Sequence, residues 1–413
     1  MSRRDLFRSR SVVALLVAEV VSTTGSQMTW LALPWFVLVT TGSATKTSFV
    51  VAAELIGIAV LGLPGGRMLG RLGARRTMLL CDGGRAPLML IIPVLHWTGG
   101  LSFVVLLAVA FGLGALSAPY FAAQKVIVPE LLGEDEKVVS EANALFQAAT
   151  RTTLLLGPAL GGILIGVLGA TSVLLVDAST YVVAVVLVAA FVPRRPPVVQ
   201  APEDRSIRVG IRFVMRDRLL RVWWPVFAIG DAAWNAFFIT VPVLVIARFG
   251  HEAQIAGWLF AAFGIGAVLG NAISFRFLTD RFDGLSLVAC FVMFQALPLW
   301  LLWLPIPPAG LAAALLASGL ANGLVNPTLH TISTLRIPAA LRPNVMTTMM
   351  VFWALINPLG VFLAGPILDA FGTKPVLLGF AAVQTFSMAA AGLAAVRERG
   401  RKRLVPAIEA QSG

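Results

Sequence analysis

Apolar residues gather along this chain into twelve blocks of about twenty, the length a helix needs to cross the hydrocarbon core of a bilayer. Taken in order as spans 1 to 12, they lie near 11–40, 46–64, 77–96, 101–123, 142–167, 170–192, 222–247, 254–275, 285–304, 309–331, 344–366 and 374–396. The pattern predicts an all-α integral membrane protein. Helix-breaking residues stand inside two matching blocks, Gly157-Pro158-Ala159-Leu160-Gly161-Gly162 in span 5 and Asn357-Pro358-Leu359-Gly360 in span 11. Such residues are tolerated within a bilayer because neighbouring helices satisfy the freed backbone groups again. The chain therefore reads as two similar halves of six helices.

One long polar stretch divides them. It sets the expected organisation: an N-terminal six-helix bundle over 1–192, a linker over 193–221, a C-terminal bundle over 222–396 and a tail over 397–413. The linker opens with Pro193-Arg194-Arg195-Pro196-Pro197 and holds eight arginines. Arg205, Arg208, Arg212 and Arg216 keep helical spacing, with Ile207, Ile211 and Val214 placed on the opposite face. That is the pattern of a basic amphipathic helix on an anionic membrane surface, a solvated linker helix being the alternative.

Composition agrees with the hydrophobic pattern: 58% hydrophobic, 13% charged and a mean hydropathy of +0.87, against about a quarter charged in soluble proteins. The net charge of +12 raises the question of nucleic acid, and its distribution answers it. Of 32 Lys and Arg, 27 fall in the two termini, the linker and the even-to-odd loops; Lys46, Arg248 and Lys374 fall in the other loops, and Arg85 and Arg151 within spans. This is the positive-inside pattern, which places both termini in the cytoplasm and makes the basic face a partner for anionic lipid rather than nucleic acid. The N-terminal apolar run is too long for a signal-peptide core and reads as an uncleaved first span. Cys81 and Cys290 belong to different halves and a reducing compartment, so no disulfide is expected.

Polar residues inside the spans recur at helical spacing. Span 1 carries Glu19, Thr23, Ser26 and Trp30; span 4 carries Ser117, Tyr120 and Gln124; span 7 carries Asp231, Trp234, Asn235 and Phe238; span 10 carries Asn322, Asn326 and His330. These four spans occupy equivalent places in four three-helix units, as a central cavity requires, while hydrogen bonding between helices would explain any single stripe. Trp353 and Asn357 of span 11 join the expected substrate-lining set. A charged carboxylate in mid-membrane costs about 2.5–3.5 kcal/mol on insertion scales, which makes Glu19, Glu54, Asp177 and Asp231 functional candidates. Glu19, Glu54 and Asp231 are the expected proton-coupling residues, with an ion pair between Glu19 and Arg151 as the structural alternative for Glu19.

Other chemistries find little support. Gly264, Gly266 and Gly270 superficially match a dinucleotide loop but lack its flanking strand and acid, so they read as small residues for close helix contact. No nucleotide-binding G-x-x-x-x-G-K-[ST] motif occurs, so energy for transport is expected from an ion gradient or the substrate's own. His96, His251 and His330 are scattered and keep no metal-ligand spacing, and neither a cofactor nor a metal is expected.

Three further features resemble the major facilitator superfamily, in particular its drug:proton antiporters and the branch of macrolide, multidrug and siderophore (enterobactin) exporters. Gly157, Pro158, Gly161 and Gly162 are similar to the antiporter motif of span 5. Val128-Pro129-Glu130-Leu131-Leu132 and Glu141-Ala142-Asn143-Ala144-Leu145 are similar to that branch's approach to span 5. Gly66, Arg67, Arg71, Gly73, Arg75 and Arg76, with Asp82 and Arg85 beyond, resemble the superfamily's gating loop between spans 2 and 3. Asp280 and Arg281 stand at the pseudo-equivalent place between spans 8 and 9. The loop's acidic residue is replaced here by Gly70, which leaves gating to the second half or to Asp82. The resemblance implies a monomeric secondary transporter of the bacterial inner membrane, exporting amphipathic small molecules in exchange for protons by alternating access. An importer of the same fold is the alternative; a polytopic enzyme is a remote one.

Overall fold

In the computed structural model the backbone is described for residues 9–132, 136–194, 207–278, 281–338 and 341–411, and the side chain of Arg151, among others in these ranges, lies outside the described residues. Twelve helices in that set are long and apolar enough to cross a membrane. Spans 1 to 6 are Arg10–Thr41, Ala44–Gly62, Ala74–Trp97, Phe103–Leu132, Glu141–Leu168 and Ala170–Phe191. Spans 7 to 12 are Leu220–Phe249, Ala253–Leu278, Gly284–Leu301, Pro308–Leu335, Asn344–Phe371 and Thr373–Gly400. A short helix, Ile207–Arg216, occupies the linker.

The turns repeat as the halves do. Gly42, Gly169, Gly250 and Gly372 have positive φ and close the connections between spans 1 and 2, 5 and 6, 7 and 8, and 11 and 12. At Gly42 the φ of 63° lets its N–H bond to the Leu38 carbonyl, and Ser43 then caps span 2 by accepting from Lys46 N–H. A residue with a Cβ would be strained at that φ.

The chain packs as two compact units, one of Met1–Glu203 with Pro242–Gly257, the other of Asp204–Val241 with Trp258–Gly413. In the first, span 1 lies against spans 5 and 6, and span 4 against spans 2 and 3. Lipid tails are as apolar as leucine, so close packing of small residues holds such helices together. Gly57 faces the Phe111 carbonyl across spans 2 and 4, and Gly114 faces the Glu54 carbonyl in return. The second unit repeats this: Gly266 and Gly270 of span 8 lie against the backbone of Leu316, Leu320 and Leu324 in span 10, while Gly319 and Gly323 return the contact at Phe263 and Ala267. Gly266 and Gly270, two of the glycines that superficially match a dinucleotide loop, are thus helix-contact residues.

Two spans depart from regular helix. Span 8 ends in a π-helical turn, Ser274–Leu278, fastened where Ser274 Oγ donates to the Leu324 carbonyl at 2.9 Å. Span 9 is built from Gly284–Phe291, Met293–Ala296 and a 3₁₀ turn, Leu297–Leu301. Pro298 accounts for the change, since it lacks an N–H and its ring crowds the carbonyl four residues back.

The stretch read as a gating loop is mostly helix. Helix Ala44–Leu72 continues ten residues past Gly62, so Gly66 and Arg71 lie on it, and Gly73 alone, at φ 76°, separates it from the helix that starts at Ala74.

Candidate functional site

Buried polar groups in so apolar a chain must satisfy one another, because stranding one costs about 1–3 kcal/mol. In the first unit span 1 supplies Glu19, Ser22, Ser26 and Thr29 along one inward face. Glu19, 3% exposed, accepts from Gln124 Nε2 of span 4 at 2.5 Å and from Thr150 Oγ1 of span 5 at 3.1 Å. Its other oxygen is buried without a hydrogen-bond partner among the described residues. Ser26 shares a 3.0 Å hydrogen bond with the hydroxyl of Tyr181 in span 6. Thr29 donates to Asp177 at 2.6 Å, and Thr180 donates to the same carboxylate at 3.2 Å. The expected stripe was slightly rotated: Thr29 turns inward, whereas Trp30 is 41% exposed.

At the centre of this set lies Arg85. It pairs with Asp82 at 3.0 Å, both side chains being buried, and its guanidinium sits 4.2 Å from the ring centre of Tyr120 and 5.0 Å from that of Tyr181. Asp177 and half-buried Glu54 of span 2 are also within electrostatic reach of Arg85. Asp82 and Arg85 therefore lie inside span 3, in its third and fourth turns. Asp82 spends its carboxylate on Arg85. The carboxylate found at the start of span 3 is Glu130, which accepts from Ala74 N–H at 3.3 Å. Arg75 meanwhile donates to the carbonyls of Val192 and Ala189, at 2.7 and 2.9 Å, clasping the end of span 6. Arg71, Arg76 and Arg281 are exposed, and Asp280 lies outside the described residues.

The span 5 glycines serve contact. Gly157 faces Gln27 and Gly161 faces Met28 in span 1; Gly162 faces Ala253 and Gly257, and the carbonyls of Pro158 and Ala159 also border Gly257. All are in the first unit. The second unit has the matching contact of Gly360 on the Ala232 carbonyl.

In the second unit the candidates form an aromatic cluster. Trp234 lies 4.6 Å from Phe263 of span 8, 5.0 Å from Phe380 of span 12 and 5.6 Å from Phe237, ring centre to ring centre. Phe238 stacks on Phe260 at 4.9 Å. Asp231, one turn before Asn235, is exposed, and Asn235 Nδ2 donates to its backbone carbonyl at 2.9 Å. Asn322 and Trp353 are half-buried, and Asn326 and His330 exposed. Asn357 keeps its Oδ1 buried with no hydrogen-bond partner among the described residues. Ser117 Oγ donates within its own helix, to the Leu113 carbonyl at 2.8 Å. Sequence reading missed Ser22, Thr29, Thr150 and Tyr181. The hydroxyl residues at positions 22, 26 and 29 kept a three-to-four spacing that would have found the first two.

Twelve apolar helices with buried charge in their spans, built on a doubled pattern of contacts, define a polytopic membrane protein with a polar interior. The chain belongs to the Major Facilitator Superfamily, which matches residues 15–361. It is 27% identical over 383 residues to the multidrug efflux pump Tap of Mycolicibacterium fortuitum, covering 89% of this chain and 91% of that one. To the Tap pump of Mycobacterium tuberculosis it is 25% identical over 395 residues, covering 93% and 92%. Among solved structures, the nucleoside transporter NupG superposes with a TM-score of 0.74 at 12% identity, covering 92% of this chain and 99% of that one. A bacterial homologue of the lysosomal transporter Spinster gives 0.71 at 13%, covering 96% and 98%. These structural likenesses concern the fold. The chain is a multi-pass membrane transporter rather than an enzyme.

Proposed function

We propose that the protein exports amphipathic small molecules in exchange for protons, by alternating access, with both termini in the cytoplasm of a bacterial inner membrane. The observation that carries this reading is the charge inventory around Arg85. Asp82, Asp177 and Glu54 all interact with that one guanidinium. If all three carboxyl groups were ionised, Arg85 alone would leave two of the negative charges without a matching cation among the described residues, a costly state in a low-dielectric interior that bound protons relieve. Glu19, held by neutral donors, is a second proton site next to the cluster, and Asp231 a third in the other unit. Proton entry down a 100 mV potential releases about 2.3 kcal/mol, enough for roughly a fiftyfold gradient of a neutral substrate.

Export is supported by the Tap relatives, which are multidrug efflux pumps, and by the contact glycines of span 5. The aromatic side chains of Trp234, Phe238 and Trp353 suit the apolar body of such a substrate, with Asn235, Asn326 and Asn357 as polar anchors. The test is accumulation of fluorescent or radiolabelled lipophilic drugs, macrolides included, in an efflux-deficient bacterium with and without a protonophore. Lower accumulation that the protonophore abolishes supports the reading. Higher accumulation on expression would mean import, and no change would remove multidrug export.

A further inference from the structure

The linker helix Ile207–Arg216 is not a free connector. Its Gly210 lies against Thr348 and Asn344 in the first turns of span 11, where an added Cβ would come within 2.7 Å of the Asn344 carbonyl. Thr348 Oγ1 donates to the Ile207 carbonyl at 3.2 Å. Val214 is buried in the hydrophobic core of the second unit with Leu219, Trp223 and Val345, and Phe213 packs on it. A helix fixed to the first turns of a membrane span lies at the depth of lipid headgroups.

The remaining sides are unlike one another. Ile211 and Met215 are 50% and 61% exposed, side by side on the helix. Next to them, at four-residue spacing, stand Arg208, Arg212 and Arg216, all exposed, with no acidic residue anywhere in the helix. The sequence pattern had put Ile211 with Ile207 and Val214; instead it borders the arginines. Apolar side chains at headgroup depth beside a basic stripe match an element whose apolar edge enters the acyl boundary while its arginines meet phosphate.

We propose that this helix is a docking site for anionic phospholipid headgroups, which occupy the stripe of Arg208, Arg212 and Arg216. The occupant is lipid rather than a protein because the site pairs positive charge with exposed apolar residues at the bilayer surface. The proposal is independent of the direction and coupling of transport.

The test uses full-length protein carrying Cys290→Ser, which removes the exposed native thiol, and Met215→Cys labelled with a fluorophore. The protein is reconstituted in vesicles of phosphatidylcholine with a small fraction of spin-labelled phosphatidylglycerol or spin-labelled phosphatidylcholine. Quenching by the anionic probe should exceed that by the zwitterionic one by roughly twofold or more. Arg208→Gln/Arg212→Gln/Arg216→Gln should abolish the preference while leaving quenching by phosphatidylcholine intact, which also shows that the helix remains seated. Equal quenching by both probes in the protein with its arginines would overturn the proposal. So would no quenching by either, with the label reached only by soluble quencher or shielded by a bound protein.

Discussion

Gln124 of span 4 donates to the carboxylate of Glu19 on span 1 at 2.5 Å, joined by Thr150 of span 5 at 3.1 Å. Both donors are neutral, so among the described residues the acid is held in place without a cationic partner. An amide at position 19 retains an acceptor oxygen for them but takes up no proton. Glu19→Gln should therefore keep the thermal stability within about 1 kcal/mol of the parent and lower proton-dependent drug efflux about tenfold or more. Glu19→Leu should lose efflux and also about 1–3 kcal/mol of stability, because the Gln124 amide is stranded. Drug accumulation and thermal unfolding in detergent distinguish the two.

Arg85 is the buried cation on which Asp82, Asp177 and Glu54 converge. Arg85→Met should cost about 3–5 kcal/mol, the usual penalty for breaking a buried pair from one side. Arg85→Lys should restore part of that, since an ammonium supplies charge without the flat face set against Tyr120 and Tyr181. Adding Asp82→Asn to Arg85→Met should recover stability relative to Arg85→Met alone, as a double-mutant cycle of unfolding midpoints would reveal.

Glycines in these helices separate into two kinds. A Cβ at Gly114 would collide with the Glu54 backbone, whereas nothing lies within 4 Å of one at Gly83. Gly114→Ala should destabilise by about 1–3 kcal/mol. Gly83→Ala should be neutral or stabilise by up to about 1 kcal/mol through helix propensity. Expression level and unfolding midpoint give the comparison.

Much of this was legible beforehand, for physical reasons that differ by feature. Span boundaries follow from residues such as Gly42 and Gly169, where long apolar runs end at a glycine, and the structure places all twelve spans where hydropathy does. Charge within the spans was legible too, because Glu19, Glu54 and Asp177 are costly enough in lipid to stand out. What joins them was not. Thr29 keeps helical spacing with Ser22 and Ser26, but Asp177 is some 150 residues away from it in the chain, as Tyr181 is from Ser26, and only helix packing brings these pairs together. The helical form of the stretch from Gly66 to Arg76 was not legible either, because the helix through Leu72 needs only one glycine, Gly73, to turn. Asp82 looked available for that loop, but its position in span 3 gives it to Arg85.

Gly70 shows the same separation of sequence from geometry. Its surroundings are open, so Gly70→Asp fits without strain, and Glu130 already supplies a carboxylate to the start of span 3. Gly70→Asp should leave the transport rate within about twofold, a change of less than 0.5 kcal/mol on the scale of ordinary surface substitutions. Glu130→Ala should cost about 1 kcal/mol by removing the acceptor for Ala74 N–H. Transport rate for the first and unfolding midpoint for the second are the checks; a large gain in rate with Gly70→Asp would contradict the first.

Exchange of protons for substrate is tested most directly in vesicles containing purified protein and a trapped pH dye. A transported lipophilic drug is added on one side with no initial pH difference, and proton movement is followed as the drug crosses. Movement of protons opposite to the drug, lost in Glu19→Gln or in Asp177→Asn, is the predicted result. Drug movement with protons travelling in the same direction, or with no proton movement at all, would contradict antiport.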